Sequence, residues 1–203
     1  MKELAEACLA FCFLPQGVYK NISVVGGGGA LGVIACDAAE NFGMDIPALA
    51  PGIRQRVEDL LPKPGTGSTN PIDVAGPFVE PKILRDILHT VTGDDRIDLQ
   101  IMVLVLYHYK MMARMLGKPL AQATPYREMA EFFSDVVKET GKPIIVVLAS
   151  HKRGVDDLDI VEMLTLARRE FLSRGLPVFD DLYEAIRAVG HVNTYYEKGE
   201  RYE

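Results

Sequence analysis

A run of four glycines, Gly26 to Gly29, lies between an apolar segment and a helix-like segment. Glycine lets a backbone approach a ligand closely and adopt positive φ angles without steric penalty. The first turn of a helix offers N–H groups without intrahelical acceptors and the positive end of the helix dipole. Together with the N–H groups of Ala30 and Leu31, the run therefore predicts a phosphate-binding loop. The alternative is a tight turn in which glycine only permits close packing.

The spacing of these glycines argues against the familiar nucleotide loops. No Gly-Lys-Ser/Thr follows the run, so it is not a P-loop. The dinucleotide fingerprint is reached only with irregular spacing that ends on Gly32, and no convincing strand ends in an acidic residue about 20 residues later. Flavin phosphate loops are usually rich in Ser and Thr, which argues against a flavin here.

A second group of candidate residues follows a predicted buried strand. Tyr107, His108 and Tyr109 come after this strand with Lys110 beside them, and Gly76 lies in the loop after another strand. Two aromatic rings and a nearby cation could hold an apolar or aromatic carboxylic acid. The alternative is that the rings cover the end of the sheet or a domain interface.

No side chain is predicted to be catalytic. His151 follows a strand beside Ser150, but adjacent residues after a strand point in different directions, which argues against a Ser-His pair. His89 and His191 fall in predicted helices and are expected at the surface or in packing contacts.

Three polar features are predicted to be structural. Asn70 precedes a proline in a turn, and Asp73 is expected to hold the backbone of the neighbouring loop. The acidic cluster at 156–159 resembles helix N-terminal capping more than a metal site.

The elements that must position these residues alternate along the chain. We predict strands over 21–25, 72–75, 99–106, 143–149 and 177–179, and a weak edge strand over 46–49. Predicted helices cover roughly 1–12, 30–43, 53–61, 81–92, 126–140, 157–174 and 181–190. Because the strands are apolar throughout, we expect an α/β doubly wound parallel sheet of about five strands with helices on both faces. The strand 21–25 is expected near its centre, with ligands at the carboxyl ends of the strands.

Length and charge narrow the function classes. The 203 residues predict one domain, with an N-terminal helix and turn over 1–20 and a polar, exposed tail over 192–203. A net charge of −6 without a Lys/Arg run argues against a nucleic-acid partner. Cys8, Cys12 and Cys36 are expected to be buried core thiols. No run is long enough to span a membrane, and the chain is expected to be cytoplasmic.

A family resemblance begins at the glycine run. The segment VVGGGGALGVIACDAAENFGMDIP, followed by NPIDV, resembles the NDP-forming (ADP-forming) acyl-CoA synthetases and the related succinyl-CoA synthetases. Later segments, LVLYHY, KPIIVVLA and LSRGLPVFDDLYEAIRAV, resemble the following strands and closing helix, so the resemblance covers essentially the whole chain. The features that carry it are Gly32-Val33, Asp37, Gly43, Asn70-Pro71 and Asp73.

The resemblance implies a flavodoxin-like domain of a ligase that makes acyl-CoA from a carboxylic acid, CoA and a nucleoside triphosphate through a phosphorylated histidine. It implies that Gly26–Leu31 receives the phosphohistidine and that the loop with Tyr107, His108 and Tyr109 lies near the acyl group, to which we add Gly76. No cofactor is expected on this chain alone. CoA, ATP or another NTP, and Mg are expected in the assembled enzyme.

The implied partners are a CoA-binding domain with the phosphohistidine and an ATP-grasp domain, in the same chain or another subunit, and a small carboxylic acid; dimer formation is left open. The sequence departs from the family in two ways: no His-Thr/Ser-Gly loop is found, and Gly27 stands where asparagine is usual. The alternative is a stand-alone flavodoxin-like module that binds a small molecule or phosphate without catalysis.

Overall fold

The computed structural model describes residues 1–76, 79–150 and 154–199. Its described residues form one five-stranded parallel sheet in the order β2-β1-β3-β4-β5, which confirms the predicted doubly wound α/β fold. The strands are β1 (Ile22–Gly26), β2 (Ile72–Asp73), β3 (Leu99–Leu104), β4 (Ile144–Leu148) and β5 (Val178–Phe179).

Helices cover both faces of the sheet. They are α1 (Lys2–Phe13), α2 (Gly29–Asn41), α3 (Pro51–Leu60), α4 (Pro81–Val91), α5 (Tyr109–Leu116), α6 (Leu120–Ala123), α7 (Tyr126–Thr140), α8 (Leu158–Ser173) and α9 (Leu182–Gly199). Short 3₁₀ turns at Leu106–His108 and Val155–Asp157 precede α5 and α8. Buried side chains of α1, α2 and α9 pack on one face, and those of α3 to α8 pack on the other. No described helix combines the length and apolar character needed to cross a bilayer.

The strands are buried on both faces because alternate side chains enter the two cores. On β3, Leu99, Ile101 and Val103 pack with α1, α2 and α9, whereas Met102 and Leu104 pack on the opposite side. This arrangement explains why most strand residues are apolar on both faces of the sheet, with Ser23 and Gln100 as buried polar exceptions.

The middle strand of the sheet is β3, and β1 lies directly beside it, near the centre as expected. From β1 the chain crosses to β2 at one edge and then returns to β3 on the other side of β1. The direction of winding therefore reverses between β1 and β3. Loops that follow these two strands diverge there and leave a crevice at the carboxyl edge of the sheet.

The predicted exposed tail over 192–203 is wrong at its start, because α9 continues to Gly199 and its residues 192 and 193 are packed in the core. Val192 and Asn193 are buried. The Asn193 side chain accepts a hydrogen bond from the Tyr19 N–H at 2.7 Å and donates one to the Tyr19 carbonyl at 2.8 Å. These two bonds satisfy the amide, so the polar residue enters the core at little cost.

The weak edge strand over 46–49 is also absent. Asp45 alone makes a single parallel bridge to Asn21, and Pro47 lacks the N–H that would extend it.

The predicted burial of the three cysteines is wrong as well, since Cys8, Cys12 and Cys36 are all exposed. The first dozen residues do form a helix, but its apolar stripe is not the buried face. Ala10 of α1 is fully buried, whereas the Leu4 side chain is 62% exposed. The buried residues of α1 and α2 are the alanines Ala10, Ala35, Ala38 and Ala39, so the buried faces of these helices do not include the cysteines.

Candidate functional site

The glycine run begins with Gly26 at the end of β1, beside Val103 of β3. A Cβ atom on Gly26 would lie 3.0 Å from the Cβ of Val103 and 3.3 Å from its carbonyl oxygen. Any side chain at this position would therefore push the two strands apart. Packing accounts for Gly26, so the first glycine of the run needs no ligand to explain it.

Gly28 and Gly29 form the start of α2 and face open space. Gly28 is the N-cap residue, with a φ of 107° that side-chain-bearing residues rarely adopt. A Cβ atom on either glycine would meet nothing within 4 Å. Packing therefore does not explain these two glycines, in contrast to Gly26, and the space in front of the helix start is accessible.

Two N–H groups at this helix start are available to a ligand. The N–H of Leu31 bonds to the Gly28 carbonyl at 3.0 Å, and the N–H of Gly28 bonds to Asp73 Oδ1 at 3.0 Å. The N–H groups of Gly29 and Ala30 have no acceptor among the described residues. The helix N-terminus thus offers fewer donors than the run of glycines suggests, because a carboxylate of the neighbouring strand already occupies one of them.

Asp73 ties the glycine loop to the loop after β2. Its Oδ1 also accepts the N–H of Ala75 at 2.8 Å, and Ala75 has a positive φ of 54°. The Asp73 backbone exchanges hydrogen bonds of 2.8 and 2.9 Å with Gly67. One carboxylate therefore fixes the relative positions of Gly28 and the turn that leads to Gly76.

The Asn70 side chain extends the hydrogen bonding of the sheet along β1. Its side chain is buried, accepts the N–H of Val24 at 3.0 Å and donates to the carbonyls of Ile22 and Pro47, each at 3.0 Å. These are the bonds a neighbouring strand would make. The amide extends the pairing of the short β2 and holds the segment before it against β1.

A cavity of about 410 Å³ brings the separate sequence candidates together. This glycine-loop cavity lies at the crevice between β1 and β3. Most of its wall is apolar and is formed by side chains of β3, α4 and α7. These residues were not selected from the sequence, because their local pattern is the same as that of other core residues. The candidates on its wall are Gly27, Gly28, Leu31, Gly76, Tyr107, His108 and Tyr109.

The three residues after β3 differ in exposure. Tyr107 is half-buried with its ring 4.5 Å from that of His108, and His108 is exposed. Tyr109 is only 4% exposed and packs in the core, where burial raises the pKa of its hydroxyl to about 12. Tyr109 is thus a neutral core residue that also reaches the cavity wall, while Tyr107 and His108 form the rim.

Lys110 does not point toward a substrate carboxylate, which differs from the sequence interpretation. Its Nζ donates to the Asp156 carbonyl at 2.6 Å and to Asp159 Oδ1 at 2.8 Å, with Asp157 Oδ1 at 3.5 Å. These acceptors raise the pKa of Lys110 and lower that of Asp159. Lys110 thereby fastens α5 to the start of α8 and links the segments that follow β3 and β4.

The remaining candidates lie away from the cavity. His89 approaches Glu139 at 3.6 Å and His191 approaches Glu3 at 2.9 Å, both at the surface. His151 lies outside the described residues. Within the described part of the chain, no group of three or more His, Cys, Asp or Glu side chains could hold a metal ion.

Comparisons with known proteins add information on the fold. No family model and no curated protein matches the sequence. PH0766 from Pyrococcus horikoshii OT3 has a similar structure, with a TM-score of 0.73 and 18% identity over 97% of this chain and 40% of that chain.

The dinucleotide forming acetyl-coenzyme A synthetase 1 of Ca. Korarchaeum cryptofilum is also similar, at 16% identity and a TM-score of 0.70. The match covers 100% of this chain and 39% of the apo protein, and 38% of the chain solved with phosphate and ADP. At these identities the likeness establishes the shared α/β fold. This chain therefore spans about two fifths of the length of the proteins it matches.

Proposed function

We propose that this chain is one flavodoxin-like domain of an NDP-forming acyl-CoA synthetase, which converts a carboxylic acid, CoA and a nucleoside triphosphate to acyl-CoA, NDP and phosphate. The observation that carries the proposal is the glycine-loop cavity. Gly27 and Gly28, beside the start of α2, line it together with apolar side chains at the switch point of the sheet, and Gly29 lines an adjacent cavity of about 390 Å³. A phosphoryl group and an acyl group could meet there. The similarity of fold to an acetyl-coenzyme A synthetase supports this reading.

In this proposal the start of α2 receives the phosphohistidine of another domain. A phosphorylated imidazole carries close to two negative charges, which the helix dipole stabilises by about 0.3–1 kcal/mol at an exposed site. Each N–H bond to a charged oxygen adds about 1.5–3 kcal/mol. The free donors of Gly29 and Ala30 are suited to this role. Asp73, whose carboxylate takes the Gly28 N–H, would align the loop and at the same time limit how closely the anion approaches.

The acyl group would occupy the apolar part of the same cavity. Gly76 lines this cavity beside the glycine loop, and Tyr107 and His108 lie at its rim. The cavity volume of about 410 Å³ is within the roughly 300–1,000 Å³ of small-molecule pockets. CoA, the nucleotide and Mg would be bound by the CoA-binding and ATP-grasp domains, in the same chain or a second subunit.

The position best suited to test the phosphate role is Gly29. Substitution of Gly28 would mix charge with backbone strain because of its positive φ, whereas Gly29 has open space and no unusual φ. Acidic residues are also favourable in the first turn of a helix. Gly29→Asp should therefore fold normally but repel an anion, and Gly29→Asn is the matched uncharged control.

Inorganic phosphate is titrated into the purified chain while backbone amide NMR shifts of residues 27–31 are followed. Wild type and Gly29→Asn should show saturable shifts at these amides, and Gly29→Asp should bind at least about tenfold more weakly. Equal phosphate affinities in all three proteins, or no saturable shift at these amides in the wild type, would leave the loop only as the turn from β1 into α2, which the positive φ of Gly28 requires.

A further inference from the structure

The segment from the end of β3 to the start of α7 carries only positively charged residues among its Lys, Arg, Asp and Glu positions. Residues 105–127 contain Lys110, Arg114, Lys118 and Arg127 but no Asp or Glu, in a chain whose net charge is −6. The fold places all four cations on the wall of one cavity of about 820 Å³, which is formed by α5, α6, α7 and α8. We refer to it as the cationic cavity. It shares no wall residue with the glycine-loop cavity.

Most of these cations are not neutralised by the protein. Lys110 is paired with Asp159, but Arg114 and Lys118 have no carboxylate partner among the described residues. Arg127 lies with its guanidinium 5.7 Å from the centre of the Tyr126 ring, without an ion pair in the described chain. Only two carboxylates line the cavity, so its wall carries an excess of about two positive charges at neutral pH.

The other lining residues resemble those of an organic-ligand site. The Gln122 side-chain amide has no partner among the described residues and supplies further donors. Leu120 and Leu166 form an apolar part of the wall. Guanidinium groups bind anionic oxygens through paired N–H bonds, and three cations on one wall that have no ion pair in the described chain match a ligand with at least two negative charges, as a diphosphate has. The volume is also within the roughly 300–1,000 Å³ range of small-molecule pockets.

We propose that the cationic cavity binds a phosphorylated organic molecule with at least two negative charges and an apolar group, a chemical class that a nucleoside diphosphate represents. Arg114, Lys118 and Arg127 hold the phosphates, and the apolar group lies toward Leu120 and Leu166. This site is separate from the glycine loop, so the inference does not depend on the proposed synthetase function.

The test is isothermal titration of the purified chain with ADP, pyrophosphate and adenosine at low salt. ADP and pyrophosphate should bind saturably, and adenosine, which lacks phosphate, should not. Arg114→Gln and Arg127→Gln should each weaken ADP binding about tenfold or more, with partial recovery in the Arg→Lys variants. Lys138→Gln, which removes an exposed cation on α7, is the control and should leave the affinity unchanged.

The Gly29→Asp variant separates the two sites. ADP affinity at the cationic cavity should be the same in this variant as in the wild type, even where phosphate binding at the glycine loop is lost. ADP binding that survives the Arg114→Gln/Arg127→Gln double variant in a chain that also carries Gly29→Asp would overturn the proposal. So would the absence of saturable binding of both ADP and pyrophosphate, or binding of an acidic peptide at these arginines in place of ADP.

Discussion

At the scale of single residues, Asn70 carries more of the site than its turn position suggests. Three backbone groups depend on its amide, and two of them belong to β1. We predict that Asn70→Ala lowers the free energy of unfolding by about 1–3 kcal/mol, because buried backbone groups lose their partners. Urea denaturation measures the change.

Gln55 is the matched control, since its exposed amide bonds only to Asp59 one helical turn away. Gln55→Ala should change the free energy of unfolding by less than about 0.5 kcal/mol. An equally small effect of Asn70→Ala would show that water replaces the lost bonds and that the amide does not hold the segment before β2.

At the scale of elements, Asp94 connects the start of α3 to the turn after α4. Its carboxylate accepts the Arg96 side chain at 2.7 and 2.9 Å and the Ala50 N–H at 2.7 Å. The Arg96 guanidinium, assisted by the Ala50 and Arg96 N–H groups, lowers the pKa of Asp94 from 3.8 to about 2. Because the folded pKa is the lower one, this stabilisation is present above about pH 4 and is lost as the pH falls toward 2.

We predict that Asp94→Asn lowers the free energy of unfolding by about 1–2 kcal/mol at pH 7, a value reduced for the exposure of Arg96. The difference from wild type should shrink between pH 4 and pH 2. Urea denaturation across this pH range measures it, with the exposed Asp59→Asn as control. If the free energy of unfolding of Asp94→Asn stays below that of wild type by the same amount down to pH 2, Asp94 acts through its shape and not through its charge.

At the scale of the whole molecule, the proposed function makes this chain one part of a larger catalyst. The phosphohistidine and the nucleotide site would belong to other domains. We predict that the purified chain makes no acyl-CoA from acid, CoA and ATP, as measured by thiol consumption and ADP release. An ADP-forming acetyl-CoA synthetase assayed alongside is the positive control. Measurable turnover by this chain alone would contradict the assignment of the phosphohistidine and the nucleotide site to other domains. It would not affect the result of the phosphate titration at Gly29.

The sequence by itself determined the order and type of most elements. Segment 144–148 is apolar throughout and segment 99–104 is apolar except for Gln100, as expected for strands buried on both faces of a parallel sheet. Terminators such as Gly141 and Gly175, both with positive φ, end α7 and α8 close to the predicted positions. These features can be read from the sequence, because the spacing of apolar residues and the conformational preference of glycine depend only on residues that are close along the chain.

Only the tertiary structure decided which faces are buried and which candidates meet. The stripe of α1 that contains Cys8 and Cys12 has helical spacing, but this spacing does not tell whether the stripe faces the core or solvent. In the structure Ala10 faces the core, and both cysteines are exposed. The pairing of Asn193 with Tyr19 spans 174 residues and cannot be read from either neighbourhood. One cavity likewise contains Gly28, Gly76 and Tyr107, because the direction of winding reverses between β1 and β3. The order of the strands that produces this reversal depends on packing between residues far apart in the sequence.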